Sequence, residues 1–276
     1  GLNNRGTGSL RVAWLTPPDG AGVERIVAAR VPRALLAPDA APEAPDGLVS
    51  VDIALDGGAI ARVTPRAAPP PGAVPAERAG AGGLTLDLAG GIALPAPSDV
   101  HTHLDKGHIW PRTPNPDGTF ASALAATGAD RERAWTAEDV RRRMDFALRT
   151  AEAHGTRRIR THVDSIPPQD RISWPVVAAM REAWAGRIDL QAVSLVGIEG
   201  LPAGVDLEAF ARHVKDHGGI LGAVLHASPA LEGGVARIFE VAARLDMDLD
   251  FHVDETGDPS SRALDLVART GAETGG

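Results

Sequence analysis

Arg157-Arg158-Ile159-Arg160-Thr161-His162-Val163 follows a glycine stop at Gly155 and reads as a strand. The fold is legible outward from this segment. Upstream, Thr136 caps a helix predicted from Ala137 to His154, with Val140, Met144, Ala147, Leu148 and Ala151 on one stripe. Downstream the pattern repeats: a helix over Pro175 to Trp184 and a strand over Ile188 to Val193, then a helix over Leu207 to His217 and a strand over Ile220 to Leu225. A last helix over Val235 to Leu245 leads to the strand Asp248 to Val253. Strand ends near 163, 194, 225 and 253 recur at intervals of 31, 31 and 28 residues, which is the mark of consecutive βα units and of a parallel sheet. A (β/α)8 barrel or a doubly wound sheet satisfies that spacing. No Gly-x-Gly-x-x-Gly follows the first strand, which weakens the dinucleotide-binding alternative.

The first third has a different character. The chain holds 31 glycines and 22 prolines, many of them before residue 100, so strands, turns and loops are expected there. Leu48 to Leu55 alternates apolar and polar residues, Asp56-Gly57-Gly58 supplies a turn, and Ala59 to Val63 completes a β-hairpin. Pro65 to Pro75 reads as a surface loop. An apolar, glycine-bearing run from Leu84 to Leu94 leads into Ser98-Asp99-Val100-His101. Two domains are therefore expected, residues 1–90 and residues 91–276.

With 276 residues, 43% of them hydrophobic and 23% charged, the chain can bury a sizeable core. It has no cysteine, which excludes disulfides, thiol nucleophiles and cysteine-ligated zinc, so any metal must sit on histidines and carboxylates. A net charge of −8 argues against nucleic acid or an anionic membrane as partner and favours a small molecule. The first residues lack the apolar core of a signal peptide, and no run reaches the ~18 apolar residues of a membrane span. A cytoplasmic location is expected.

Parallel α/β folds place their chemistry at the C-terminal ends of strands. His101 and His103, two apart at such an end, point to one face of a strand, and neutral imidazoles there suit zinc or ferrous iron. His252 ends a later strand, and Glu255 follows three residues on, where a carboxylate can carry protons. His162 and Asp164 could orient substrate or simply form a structural pair, and His226 has the same ambiguity. Lys106 lies on the loop beside Asp105 and His108, at a mouth or in solvent. Trp110 and Phe120, on a long loop reaching Trp135, could wall a pocket. His154, His213 and His217 fall at helix C-terminal ends and read as structural.

The run from Gly90-Gly91-Ile92-Ala93-Leu94-Pro95 to His101-Thr102-His103-Leu104-Asp105-Lys106, then Arg160-Thr161-His162-Val163-Asp164, then Phe251-His252-Val253-Asp254-Glu255, resembles the cytosine deaminase branch of the amidohydrolase superfamily. The resemblance spans roughly residues 48 to 270. It implies a metal-dependent hydrolase with a (β/α)8 barrel beside a small β-sandwich, to which the N-terminal hairpin would belong. It further implies one divalent ion, zinc or iron, on His101, His103 and His252, with Glu255 shuttling a proton to a ring nitrogen of a cyclic amidine. His162, Asp164, Lys106, Trp110 and Leu195 would stand near the substrate, and a homo-oligomer is expected. Cytosine deaminases carry a substrate-binding glutamine after their third strand, where this chain has Ala192-Val193-Ser194-Leu195. Leucine offers no paired hydrogen bonds, so a pterin, another aminated ring or an N-alkylated triazine suits the chain better than cytosine. The family also uses a histidine after the sixth strand and an aspartate after the eighth. At about 30 residues per unit, 276 residues accommodate five units, and the expectation is a barrel incomplete in this chain. A non-catalytic fragment of such an enzyme and a cyclic-amide hydrolase stay open as alternatives.

Overall fold

The computed structural model describes residues 22–38, 45–80, 83–201 and 205–275. They fall into two compact units that divide between Pro95 and Ala96.

The first unit is one mixed sheet. Strands β1 (Val23–Pro32), β2 (Leu48–Asp56), β3 (Ala59–Pro65), β4 (Ala76–Gly80) and β5 (Gly83–Asp87) lie in the order β3-β2-β1-β5-β4. β1 is antiparallel to β2 and parallel to β5. The period-two pattern of β2 puts Val49, Val51 and Ile53 on one face, where they are buried with Ala29 and Val31 of β1. Gly57 and Gly58 turn the β2–β3 hairpin with φ of 57° and 81°, the doubly positive pair that a tight two-residue turn demands. The apolar run from Leu84 divides between two uses. Its first residues form β5 in this sheet, and after a turn at Gly90 (φ 92°) Ile92 bridges back to Arg30.

The second unit carries the βα repeat. β6 (Ser98–Thr102) opens it, followed by α1 (Phe120–Ala134), α2 (Ala137–Ala153), β7 (Arg158–Asp164), α3 (Gln169–Ala183) and β8 (Asp189–Leu195). Then come α4 (Val205–Asp216), β9 (Leu221–Leu225), α5 (Leu231–Leu245), β10 (Leu249–Val253) and α6 (Ala263–Thr274). β6, β7 and β8 pair in parallel, as do β9 and β10. Bridges Val193↔Ile220 and Gly197↔Val224 join β8 to β9, and Ser194 Oγ stitches the seam, accepting from Gly222 N at 2.8 Å and donating to Gly222 O at 2.9 Å. Five strands thus run parallel in chain order, a partly barrel-like α/β arrangement. Along β7, Ile159 and Val163 enter the main core with Val140, Met144 and Leu148 of α2 and Trp174, Val177 and Met180 of α3. Arg160 and His162 alternate onto the opposite face.

Two helices differ from the sequence reading. α3 begins at Gln169, six residues before Pro175, which the sequence reading placed at a helix start. Pro175 sits on the exposed face, while Ser173, Trp174, Val176 and Val177 bury the other side. The segment taken as a long loop up to Trp135 contains α1, capped by Thr119, whose side chain accepts from Ser122 N. Periodicity could not reveal α1, because a carboxylate anchors it rather than an apolar stripe. Asp130, fully buried, accepts from Arg112, Thr113, Arg133 and the Trp135 indole at 2.7–3.0 Å. Burial pushes its pKa up, but these donors outweigh it and hold the carboxyl at about 2. Among the described residues, no helix is long and apolar enough to cross a membrane.

Candidate metal centre

Four histidines converge at the C-terminal ends of β6, β7 and β10. The ring of His101 lies 4.4 Å from that of His162, 4.6 Å from that of His252 and 5.3 Å from that of His103, centroid to centroid. His162 and His252 are 4.6 Å apart. Among the described residues, His101, His162 and His252 each bring one ligand atom within 4.8 Å of the others. His103 stands just beyond the end of β6, 5.5 Å from His252. The trio that lies closest therefore includes His162, which the sequence reading placed among the substrate-side residues, and His103 is the fourth imidazole of the group.

A hydrogen bond fixes which nitrogen of His103 is free. His103 Nδ1 lies 3.2 Å from the carbonyl oxygen of His162. A carbonyl only accepts, so Nδ1 carries the proton and Nε2 is bare. His162 Nε2 faces Asp250 Oδ1 at 3.3 Å. Burial is the chief reason that the His103 and His252 pKa values fall to about 3 and about 4, and neighbouring cationic or imidazole groups depress them further. Both rings are neutral at pH 7. His162 Nδ1 and His252 Nε2 are buried and have no hydrogen-bond partner among the described residues. Bare, buried ring nitrogens in a cysteine-free cluster are the donor set that a zinc-like or iron-like cation takes, so these residues fit a metal.

No protein-family model matches the chain. Over 223 residues it is 43% identical to a pterin deaminase of Rhizobium rhizogenes strain K84, covering 81% of this chain and 49% of that protein. Over 202 residues it is 25% identical to N-isopropylammelide isopropyl amidohydrolase of Pseudomonas sp. strain ADP, covering 69% of this chain and 49% of the relative. The crystal structure of 5-methylcytosine deaminase from Klebsiella pneumoniae liganded with 5-fluorocytosine superposes with a TM-score of 0.70 at 26% identity, over 91% of this chain and 56% of that one. The chain belongs to the amidohydrolase superfamily, in its cytosine deaminase-like branch. It spans about half the length of the curated relatives it matches.

The remaining candidate residues of this amidohydrolase chain have distinct surroundings. Glu255 is exposed on the loop after β10. Asp254 beside it has φ 52° and anchors that loop, its carboxylate accepting from Ala263 N at 2.9 Å and Leu264 N at 3.0 Å at the start of α6. Lys106 Nζ donates to Asp164 Oδ1 at 2.8 Å, and Arg131 of α1 donates to Asp164 Oδ2 at 3.0 Å. The Lys106 and Asp164 charges thus meet each other. Asp105 is fully buried, accepting from Asp164 N at 2.8 Å through Oδ2, while Oδ1 has no partner among the described residues. Burial first, then the Asp164 charge, pushes its pKa up to about 7. Leu195 is buried at the end of β8, and Trp110 is 61% exposed. His226 Nε2 pairs with Glu199 Oε2 at 2.9 Å, both half-exposed beyond β9 and β8. Sequence reasoning assigned no role to Asp250, Arg131 or Arg160, although Arg160 opens the motif that ends at Asp164. None falls on a motif of ligand spacing, and only the alternation of β7 and β10 hinted that 160, 162, 250 and 252 share a face.

Proposed function

We propose that this amidohydrolase is a metal-dependent deaminase that hydrolyses a C–N bond of an aminated, pterin-like heterocycle. The observation that carries the reading is the cluster of bare imidazole nitrogens at the strand ends. The substrate class follows from the 43% identity to a pterin deaminase. In this reading the βα units belong to a (β/α)8 barrel and the N-terminal sheet to a small sandwich. His101, His103 and His252 hold one zinc or iron ion, with His162 beside them. When bound, such a cation supplies Lewis-acid activation of a water molecule.

The chain's own residues do the rest. The depressed pKa values keep His103 and His252 as neutral nitrogen donors across the physiological range. Glu255, on the loop that Asp254 anchors to α6, takes the proton released from water and delivers it to the ring nitrogen as the C–O bond forms at the amidine carbon. It then takes the proton of the hydroxyl so formed and passes it to the exocyclic nitrogen, as the C–N bond breaks, the carbonyl forms and ammonia leaves. Leu195, Trp110, Lys106 and Asp164 stand on the substrate side.

Glu255→Gln tests the assignment. Ammonia release from aminated pterins should fall by a factor of at least ~100, while metal content measured by elemental analysis stays at the wild-type level. Unchanged turnover in the variant would remove Glu255 from the chemistry, and a wild-type protein that binds no divalent metal would remove the metal centre itself.

A further inference from the structure

An acid–base pair that no step of the proposed reaction uses stands beside the histidines. Val224 of β9 lies in register with His252 of β10 on one side and with Gly197, just past β8, on the other, so the three positions share one level and one face. Leu221, Ala223 and Leu225 of β9 alternate to the opposite face, in the main core. Gly197 puts no side chain into the space at that level. A Cβ on it would meet Glu199 Oε2 at 3.7 Å and His226 Cε1 at 3.9 Å. These two side chains therefore stand over the gap, joined to each other by His226 Nε2 and Glu199 Oε2 at 2.9 Å and both half-exposed. Two strand spacings, about 10 Å, separate Gly197 from His252, which is the reach of a fused ring whose reacting carbon lies at the histidines. Burial pushes the Glu199 carboxyl up, but the Ser228 hydroxyl and the His226 ring bring it below its usual range, so it is ionised at pH 7. A carboxylate only accepts hydrogen bonds.

We infer that Glu199, braced by His226, selects the substrate ring by accepting a hydrogen bond from a lactam N–H next to the amidine carbon. His226 holds Oε2, which leaves Oε1 to meet the ring. The substrates are then 2-amino-4-oxo rings, whose nitrogen between the amidine carbon and the carbonyl carries a hydrogen. A ring with a bare nitrogen there would aim a lone pair at the carboxylate and is rejected. The bare nitrogen on the other side of the amidine carbon is left for Glu255. This inference rests on the deaminase reading and names the ring chemistry that the site takes.

Pteridine fluorescence reads ring binding to the zinc-treated protein directly, and ammonia release reads turnover beside it. The probes are 2-amino-4-oxopteridine, which carries the lactam N–H, and 2-amino-4-methoxypteridine, which presents a bare nitrogen in its place. Wild type should bind the first about 10- to 100-fold more tightly, the worth of a hydrogen bond to a charged group. In Glu199→Gln the amide can turn its oxygen or its NH2 to the ring, so the preference should shrink to under about 3-fold. His226→Asn, which can still donate to Glu199, should keep more of the preference than His226→Leu. A general loosening of the site would weaken both rings together and leave their ratio unmoved. A wild type that binds the two rings alike overturns the inference even if a variant misfolds, and so does a Glu199→Gln protein that keeps the wild-type ratio; ammonia release in either case leaves the deaminase reading standing. A wild type that binds neither ring and releases no ammonia overturns both.

Discussion

The buried titratable groups of the second unit pull stability in opposite directions with pH. His103 and His252 have folded pKa values of about 3 and about 4 against an ordinary 6.5. As pH falls below about 6.5, the unfolded chain gains protons that the folded protein refuses, so stability is lost from there down to about 4. Asp105 has the reverse sign. Its folded pKa of about 7, raised from 3.8, means that the folded protein keeps a proton the unfolded chain has released. That contribution fades as pH rises through 7. Two histidines outweigh one aspartate, so the urea midpoint of the metal-free protein should climb from pH 4.5 to about 6.5, dip slightly to about 7 as Asp105 ionises, and then level off. Asp105→Asn should steepen the acid limb, because it removes the offset. A midpoint constant between pH 5 and 7 would contradict the assignment of neutral buried imidazoles. The sequence identified these histidines as a group, since a period of two and a strand end are local features. It carried no sign of which nitrogen the His103 ring leaves bare, because the deciding partner is the His162 carbonyl, 59 residues away.

Among the elements, the seam between β8 and β9 depends on a missing side chain. A Cβ on Gly222 would come within 2.5 Å of Asp250 O, 2.5 Å of Val193 Cγ1 and 2.7 Å of Ser194 O, two of which are backbone and cannot yield. Gly222→Ala should therefore cost about 1–3 kcal/mol in urea denaturation, the usual range for overpacking, and should loosen β10, whose His252 belongs to the cluster. A wild-type midpoint in that variant would show that the strands can separate without loss. Helix α1 makes a different demand. Asp130→Ala leaves the buried Trp135 indole without an acceptor and takes from Arg112 one of its two carboxylate partners, Asp139 remaining, and should cost about 1–3 kcal/mol, the usual range when a buried polar group loses its partner. A cost under about 1 kcal/mol would mean that α1 docks by other contacts. Helix α2 was legible to within a residue because Val140, Met144 and Leu148 repeat every four positions and are all fully buried. Helix α1 was not, because a single carboxylate gives no period.

At the scale of the whole molecule, metal binding should couple to folding, since the proposed ligands come from the ends of strands β6 and β10 and meet only when those strands are in place. Zinc at about 100 times its Kd should stabilise the protein by about 2.7 kcal/mol, read as a rise in the thermal midpoint that a chelator reverses. His101→Ala and His252→Ala should each abolish the rise while folding without metal. A midpoint that ignores zinc would dissociate the cluster from any cation.

The βα repeat, the N-terminal hairpin and the collection of histidines at strand ends were determined by the sequence alone, because each rests on local periodicity, on turn glycines or on the alternation of a strand. Tertiary structure alone decided that His162 joins His101 and His252, that Asp250 and Arg160 brace it, that Lys106 and Asp164 meet each other, and that a buried carboxylate holds α1. The Asp250 contacts reach across 88 and 90 residues. Hydrogen-bond pairing at that range depends on which strands lie side by side, and no local pattern encodes it.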